Sequence, residues 1–378
     1  MSQPTAAPAF QSRASFLLIA AFPGLFTLSK FVLWERYGVF DFHSFHLAGL
    51  LANAGQIDQL YKPDVFSAQY LQHYGEPGQL PWFYPPLLLP YCQFLALFSV
   101  AVAFLVNGFI SIAAYYLAVR WVFPDRSRDI IILSALPLII ALGFGHPIIL
   151  FLSLLLIGYR LTPSSLGAGL LALTLCAAKP HLGGVALFLL FSRKLPKSLL
   201  PSTLIGISIV LIFAALYGWQ VWWLFLQSIS LAATYLEGGT INQQWISSLY
   251  AGALALNTPR LFAIMAQGSG LILFCSIGAY LFRHEKQDQF WVVAGLAAVF
   301  TSPYLMYYDL IFLLFPLALV VKRVHIRIAR SWVYGLFLSE VGFLVLLAFK
   351  PAAPFGFLVF AAFTTMLFIG KARYAHRP

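Results

Sequence analysis

Long apolar runs alternate with short polar segments along almost the whole chain. The first run covers residues 14–34, which is close to the roughly 20 residues that a membrane-spanning helix requires. Two regions, 130–160 and 165–192, hold shorter apolar runs interrupted by glycine, proline or charged residues, as in broken or re-entrant helices. Further apolar runs cover 83–100, 101–122, 199–217, 260–282, 289–302, 304–321, 331–349 and 352–370. The pattern predicts an all-α polytopic membrane protein with about 10–13 transmembrane helices, several of them short or broken, in one domain over residues 1–378.

The composition strengthens this prediction. Of the 378 residues, 61% are hydrophobic and only 9% are charged, whereas a soluble domain carries roughly 25% charged residues. The formal net charge of +11 comes from short basic clusters between apolar runs, which is the positive-inside pattern of membrane proteins rather than a nucleic-acid-binding surface. We therefore expect a bacterial-type cytoplasmic membrane as the location, with both termini inside and the longer polar segments facing outward.

The longest polar interruption near the start, residues 35–82, is predicted to be an outer loop that carries amphipathic helices, and a second outer loop is predicted over 219–245. Asp41 lies in the first loop after an aromatic-rich stretch, where a carboxylate could act as a general base towards a hydroxyl. The alternative is that Asp41 caps an interfacial helix, since Asp favours that position. The nearby His43 and His46 lack a third partner at metal-ligand spacing, so no metal site is predicted.

Lys179 lies between two short apolar runs and directly precedes Pro180. An ionisable side chain in such a setting is costly unless a counter-charge or water meets it, which makes it a functional candidate. A cation beside a helix break could hold a phosphate group. The alternative is that Lys179 extends to the membrane interface.

Further polar residues lie near the predicted breaks and at the outer ends of predicted spans. Asp309 is a candidate partner for a cation at a helix terminus. The other candidate substrate-binding residues are His146, Asn242, Gln243, Tyr307 and Tyr308, and Tyr84 follows the first loop. Because the polar segments gather on the predicted outer side, the sequence indicates a one-sided reaction site.

The chain contains no G-x-x-x-x-G-K-[ST], G-x-G-x-x-G or H-E-x-x-H motif. We therefore predict no nucleotide site, no cofactor and no metal. An enzyme on the outer face needs another energised donor. A lipid-linked donor fits, because its tail partitions into the bilayer and its phosphate needs a cationic pocket at the interface.

An ordered set of short motifs resembles glycosyltransferase family 87. The set consists of Asp41 in Phe40-Asp41-Phe42, the small-residue run from Ala48-Gly49 to Gly55, Leu60-Tyr61, Phe83-Tyr84-Pro85-Pro86, Gly145-His146, Lys179-Pro180, and Ser302-Pro303 with Asp309. The family consists of integral membrane enzymes of the GT-C class that use polyprenyl-phosphate-linked sugars, typically mannose. His146 departs from the family pattern, in which an amide side chain follows the glycine.

The resemblance implies a GT-C-type helical bundle and a metal-independent, inverting transfer of a hexose, typically mannose, to a lipid or glycan acceptor. Asp41 would take the proton from the acceptor hydroxyl as that hydroxyl attacks the anomeric carbon. Lys179, together with His181 and Tyr84, would stabilise the departing polyprenyl phosphate. The expected partners are thus the lipid-linked donor, the acceptor and the membrane, with no nucleic acid.

Two other functions are consistent with parts of the pattern. A transporter or flippase of lipid-linked sugars would also use broken helices, but it predicts inverted repeats and binding groups near the membrane midplane. A membrane-embedded polymerase or ligase of cell-surface glycans would favour arginines in the outer loops, which here are chiefly Arg36, Arg126 and Arg128.

Overall fold

The computed structural model of the protein describes residues 13–32, 40–75, 81–179, 195–237, 246, 248–283, 287–300 and 302–323. Most of these residues are helical, and the β-type pairing within them is a single antiparallel bridge between Ile246 and Met306. The all-α prediction is therefore confirmed for the described part of the chain. The predicted spans 331–349 and 352–370 lie outside the described residues.

The first nine helices form the part of the fold that carries most of the polar interior residues. They are α1 (Arg13–Val32), α2 (Phe40–Asn53), α3 (Ile57–Leu60), α4 (Pro63–Tyr74), α5 (Leu89–Leu95), α6 (Val100–Val122), α7 (Ser127–Gly143), α8 (Ile148–Leu161) and α9 (Leu166–Cys176). Short 3-10 turns at Pro86–Leu88 and Pro124–Arg126 precede α5 and α7.

Six further helices follow. They are α10 (Leu195–Tyr217), α11 (Gln220–Glu237), α12 (Leu249–Ala255), α13 (Arg260–Arg283), α14 (Gln287–Phe300) and α15 (Leu314–Arg323). A 3-10 segment, Tyr307–Leu313, leads directly into α15.

The predicted break in 130–160 is confirmed, because α7 ends at Gly143 and α8 begins at Ile148. Gly145 has a φ of +64°, a left-handed conformation that glycine adopts without steric cost. A Cβ at this position would lie 2.6 Å from Cβ of Phe42 and 3.0 Å from the ring of Phe104. The break therefore packs against α2 and α6 at a distance that only glycine allows.

Two predicted segments differ in the structure. The expected span 83–100 is a 3-10 turn followed by the seven-residue α5, because Pro85 and Pro86 hold the entry in extended and 3-10 conformations. The expected outer loop 219–245 is helical over Gln220–Glu237, which packs one face on the protein through Val221 and Phe225 and exposes Trp223.

Within the described residues, α6 is the one helix that is both long and apolar enough to cross a membrane. The pair Thr203–Tyr217 and Gln220–Leu231 reaches that length only if it is counted together, and it is bent by 105°. Several shorter apolar helices accompany them, including α8 and α9. These findings establish a mainly helical protein and leave the number of 10–13 spans as a prediction.

The packing of α2 against α5 sets the position of the first loop. Gly49 faces the backbone of Cys92 so closely that a Cβ there would collide with the Cys92 carbonyl. Helix α2 also contacts α6, while α8 and α7 both contact the 3-10 segment Tyr307–Leu313. As a result, the start of α2, the α7–α8 break and this 3-10 segment converge in the interior.

Candidate active site

Six polar side chains from five separate parts of the chain form one interior group, which we call the acid cluster. Its members are Asp41, Tyr84, His146, Lys179, Tyr308 and Asp309. All six are residues that the sequence singles out. Their positions come from the start of α2, the segment before α5, the α7–α8 break, the end of α9 and the 3-10 segment Tyr307–Leu313.

A buried ion pair joins Lys179 to Asp309. The ammonium donates to Oδ1 of Asp309, and the two side chains are 7% and 0% exposed. Oδ2 of Asp309 accepts the backbone N–H of Met306 at 3.1 Å and thereby caps the 3-10 segment. Buried charges persist only when paired in this way. Asp309 thus lies at the start of the 3-10 segment and pairs with a cation there.

The Lys179 ammonium also lies over the ring of Tyr308, 4.8 Å from the ring centroid. A cation in this position is attracted by the negative face of the aromatic ring. The backbone N–H of Lys179 donates to the carbonyl of Cys176 at 3.2 Å, so the residue closes the last turn after α9. Lys179 is thus held in the interior and does not extend to an interface.

Asp41 lies within the first turn of α2, and its Oδ2 is buried with no hydrogen-bond partner among the described residues. The Tyr308 hydroxyl hydrogen bonds to the Asp41 carboxyl group, and the Lys179 charge acts on it as well. Burial raises the pKa of Asp41 from 3.8 to about 6, while Lys179 and the Tyr308 hydrogen bond oppose that rise. At neutral pH the carboxylate is ionised and remains a competent proton acceptor.

Tyr84 and His146 complete the acid cluster. The Tyr84 hydroxyl and Nε2 of His146 are 2.6 Å apart, and Tyr84 also hydrogen bonds to Tyr308. Burial raises the pKa of Tyr84 well above its usual value, so the phenol keeps its proton. The His146 ring is 1% exposed and lies 4.8 Å, centroid to centroid, from both Phe45 and Tyr308.

A buried amide supports the break that carries His146. The Tyr91 hydroxyl donates to Oδ1 of Asn107 at 2.7 Å, and Nδ2 of Asn107 donates to the carbonyl of Gly145 at 3.0 Å. This carbonyl is released by the end of α7 and would otherwise be unsatisfied. Asn107 is not among the site residues predicted from the sequence, although a lone amide inside the apolar helix α6 is a signal of this kind.

A second polar group on α2 lies apart from the acid cluster, and we call it the histidine cluster: His43, His46, Tyr70 and Tyr74. The His43 ring stacks on Tyr74 at 4.2 Å, and its Nδ1 is 3.3 Å from the Tyr70 hydroxyl. Nε2 of His46 donates to the carbonyl of Phe98 at 3.0 Å, so Nδ1 accepts from the Tyr74 hydroxyl at 2.9 Å. Burial lowers the pKa of both imidazoles, that of His43 to about 4.

Three of the predicted site residues lie outside the described residues, namely His181, Asn242 and Gln243. Tyr307 begins the 3-10 segment that also carries Tyr308 and Asp309. Asp41 is inside its helix rather than ahead of it, which does not favour the interpretation of Asp41 as an N-cap.

The acid cluster joins a carboxylate that can accept a proton to a cation that can hold an anion. An ammonium group has three N–H donors, and Lys179 uses one on Asp309. Such a pairing suits a reaction in which a hydroxyl loses its proton while a phosphate departs.

Comparison with known families gives one match, to glycosyltransferase family 87 over residues 82–307. The matched region is more than half of the chain and includes Tyr84, His146 and Lys179, whereas Asp41 precedes it and Asp309 follows it by two residues. No curated protein and no solved structure matches the chain. On the strength of the family match, this chain belongs to glycosyltransferase family 87 and is a glycosyltransferase.

Proposed function

We propose that this protein transfers a hexose, mannose in the first instance, from a polyprenyl-phosphate donor to a hydroxyl of a lipid or glycan acceptor. The observation that carries the proposal is the meeting of Asp41 and Lys179 in one buried cluster, although 138 positions separate them in the chain. The reaction takes place at the outer face of the cytoplasmic membrane and inverts the anomeric centre.

Asp41 is the general base. Its buried Oδ2 accepts the proton of the acceptor hydroxyl as the hydroxyl oxygen attacks the anomeric carbon. The raised pKa of Asp41 supports this role, since a base with a pKa of about 6 is ionised at neutral pH yet binds a proton more readily than an ordinary aspartate.

Lys179 binds the phosphate that leaves. Asp309 and the ring of Tyr308 fix the ammonium in place, which leaves two N–H donors to meet the oxygens of the phosphate. Donors already in position in a buried site stabilise the developing charge without reorganisation. His181 is proposed as an additional donor, whereas the Tyr84 hydroxyl is engaged with His146 and belongs to the base side of the cluster.

The membrane setting is supported by large apolar side chains that remain exposed on α1 and α10. Leu18 and Leu200 are 70% and 66% exposed, and the exposed apolar residues continue along both helices. Exposed patches of this extent are rare in monomeric soluble proteins and mark contact with lipid or a partner. We therefore propose a polytopic GT-C-type protein in which about 10–13 helices span the bilayer.

The proposal is tested by incubating purified protein in detergent with radiolabelled polyprenyl-phosphate mannose and a membrane lipid extract, followed by separation of the labelled products. We expect a labelled glycolipid from the wild type and none from Asp41→Asn. The matched control is Asp58→Asn, which removes an exposed acid of the same region that pairs with Lys62. Transfer by Asp41→Asn at the wild-type rate would remove Asp41 from the mechanism.

A further inference from the structure

Four side chains of the acid cluster form a continuous series of hydrogen bonds. Asp41 hydrogen bonds to the Tyr308 hydroxyl, Tyr308 to the Tyr84 hydroxyl, and Tyr84 to Nε2 of His146 at 2.6 Å. Each of the two phenols can accept one proton while it donates its own. The series therefore links the buried carboxylate to a buried imidazole through groups that are able to pass a proton along.

We propose that the Tyr308 and Tyr84 hydroxyls relay the proton that Asp41 takes from the acceptor to Nε2 of His146, which is the terminal proton acceptor of the transfer reaction. This inference rests on the proposed function and extends it, because it names where the proton goes after the base has received it. Lys179 and Asp309 keep their roles on the phosphate side.

The proton moves in four transfers, and each bond that breaks is matched by one that forms. The acceptor O–H bond breaks, its oxygen forms the new bond to the anomeric carbon, and the proton joins Asp41. Protonated Asp41 gives its proton to the Tyr308 oxygen, Tyr308 gives its own to the Tyr84 oxygen, and Tyr84 gives its own to Nε2 of His146. The bond from the anomeric carbon to the phosphate oxygen breaks, and the polyprenyl phosphate departs with that electron pair. The net result is an ionised Asp41 and an imidazolium.

The charges of the cluster favour a proton on His146. With Asp41 and Asp309 ionised and Lys179 protonated, the three groups sum to one negative charge, which the imidazolium neutralises. The Tyr308 ring lies 4.8 Å from the His146 ring, within the range in which an aromatic face stabilises a cation. The titratable groups around the relay are Asp41 on α2, Tyr84 and Cys92 at α5, Lys179 after α9, and Tyr308 and Asp309 on the 3-10 segment.

The geometry of the break also favours this role over a purely structural one. Nδ2 of Asn107 already satisfies the Gly145 carbonyl at the break, so this backbone group does not depend on the imidazole. The series ends on Nε2 of His146, a ring nitrogen that can accept a proton.

The experiment compares the pH dependence of kcat for the wild type, His146→Asn, His146→Gln, Tyr84→Phe and the double variant Tyr84→Phe/His146→Asn. The probe is radiolabelled polyprenyl-phosphate mannose with saturating lipid extract. In the wild type both Asp41 and His146 must be unprotonated, so kcat falls by roughly 100-fold per pH unit on the acid side. In each single variant the relay is cut, so only Asp41 must be unprotonated, and kcat falls by roughly tenfold per pH unit.

We also expect kcat of the single variants to be about tenfold lower at the optimum, with the double variant no lower than the worse single one, because all of them cut the same relay. If one histidine variant fails to give a monodisperse protein, the other and Tyr84→Phe carry the same test. Two results would overturn the relay. One is a wild-type kcat that falls only about tenfold per pH unit on the acid side. The other is an unchanged kcat and an unchanged acid-side slope in the folded variants. Those results would leave the proposed function standing as long as Asp41→Asn is inactive.

Discussion

Helix α2 carries two polar groups that are close in sequence and different in character. Asp41 belongs to the acid cluster with Lys179 and Asp309, whereas His43 and His46 belong to the histidine cluster with their tyrosine partners. Burial shifts the pKa values in both, raising that of Asp41 to about 6 and lowering that of His43 to about 4. The shared cause is that a buried site disfavours the charged form of any group.

The difference is that the acid cluster retains its charges and the histidine cluster does not. Lys179 supplies a counter-charge that keeps carboxylates ionised in the interior, while His46 is held as a neutral ring between a carbonyl and a phenol. A perturbed pKa alone therefore does not distinguish the two clusters. A fixed opposite charge beside the perturbed group does, and it favours the acid cluster as the proposed site of transfer.

The largest effect is expected from removing that counter-charge. Lys179→Met removes the counter-charge of the buried Asp309 carboxylate, which should cost about 3–5 kcal/mol of stability. It should also lower kcat by about 10²–10³-fold, because the donor to the departing phosphate is lost. Thermal unfolding in detergent and the transfer assay measure the two effects.

The double variant Lys179→Met/Asp309→Asn separates stability from activity. It removes both charges and keeps an amide oxygen for the Met306 N–H, so we expect the melting temperature to return towards the wild-type value while transfer stays absent. Recovery of transfer in this variant would show that the ion pair only supports the fold.

The second-largest effect is a pH-dependent change in stability of about 3 kcal/mol for each cluster, with opposite sign in the two. The folded pKa of Asp41 lies above the unfolded value, so its contribution to stability is fully present below pH 3.8 and is lost as the pH rises through about 6. The folded pKa of His43 lies below the unfolded value, so its contribution is present above pH 6.5 and is lost as the pH falls through about 4.

Melting curves between pH 4 and pH 7 therefore separate Asp41→Asn from His43→Gln. Relative to the wild type, Asp41→Asn should gain stability as the pH rises, since it no longer buries a charge, while His43→Gln should gain stability as the pH falls. Parallel curves for the wild type and both variants would contradict the assigned burial of these groups.

The smallest effect is expected within the histidine cluster. His46→Phe keeps the ring but loses the hydrogen bonds to the Phe98 carbonyl and the Tyr74 hydroxyl, which should cost about 1 kcal/mol for each bond. We expect kcat to remain within about twofold of the wild type, because no charge of the acid cluster changes. A loss of transfer comparable to that of Lys179→Met would show that the histidine cluster also takes part in the reaction.

Part of the fold is predictable from the apolar pattern. Helices α1, α6 and α9 and the break between α7 and α8 follow from run length and from Gly and Pro positions. The predicted span 83–100 is wrong, because the apolar composition does not reveal that consecutive prolines shorten the helix. The segment Gln220–Glu237 is predicted as a loop and is a helix, because its polar residues lie on a helix whose other face is apolar.

The site is predictable as a set of residues and not as a set of contacts. Asp41, Lys179 and Asp309 are each predicted as candidates because they are ionisable groups in or beside apolar runs. Their pairing depends on how α2, α9 and the 3-10 segment converge, and no local pattern spans the 130 positions between Lys179 and Asp309. The supporting role of Asn107 cannot be predicted from the sequence for the same reason, because its partner Gly145 lies in the break between two other helices.

The most direct test of the central claim is the transfer rate of Asp41→Asn beside that of His43→Gln, a conversion to an amide two residues away on the same helix. We predict that Asp41→Asn lowers kcat by about 10²–10⁴-fold while both proteins melt as folded species, and that His43→Gln transfers sugar at close to the wild-type rate. Equal rates for Asp41→Asn and the wild type would contradict the assignment of Asp41 as the base and, with it, the account of the acid cluster as the site of transfer.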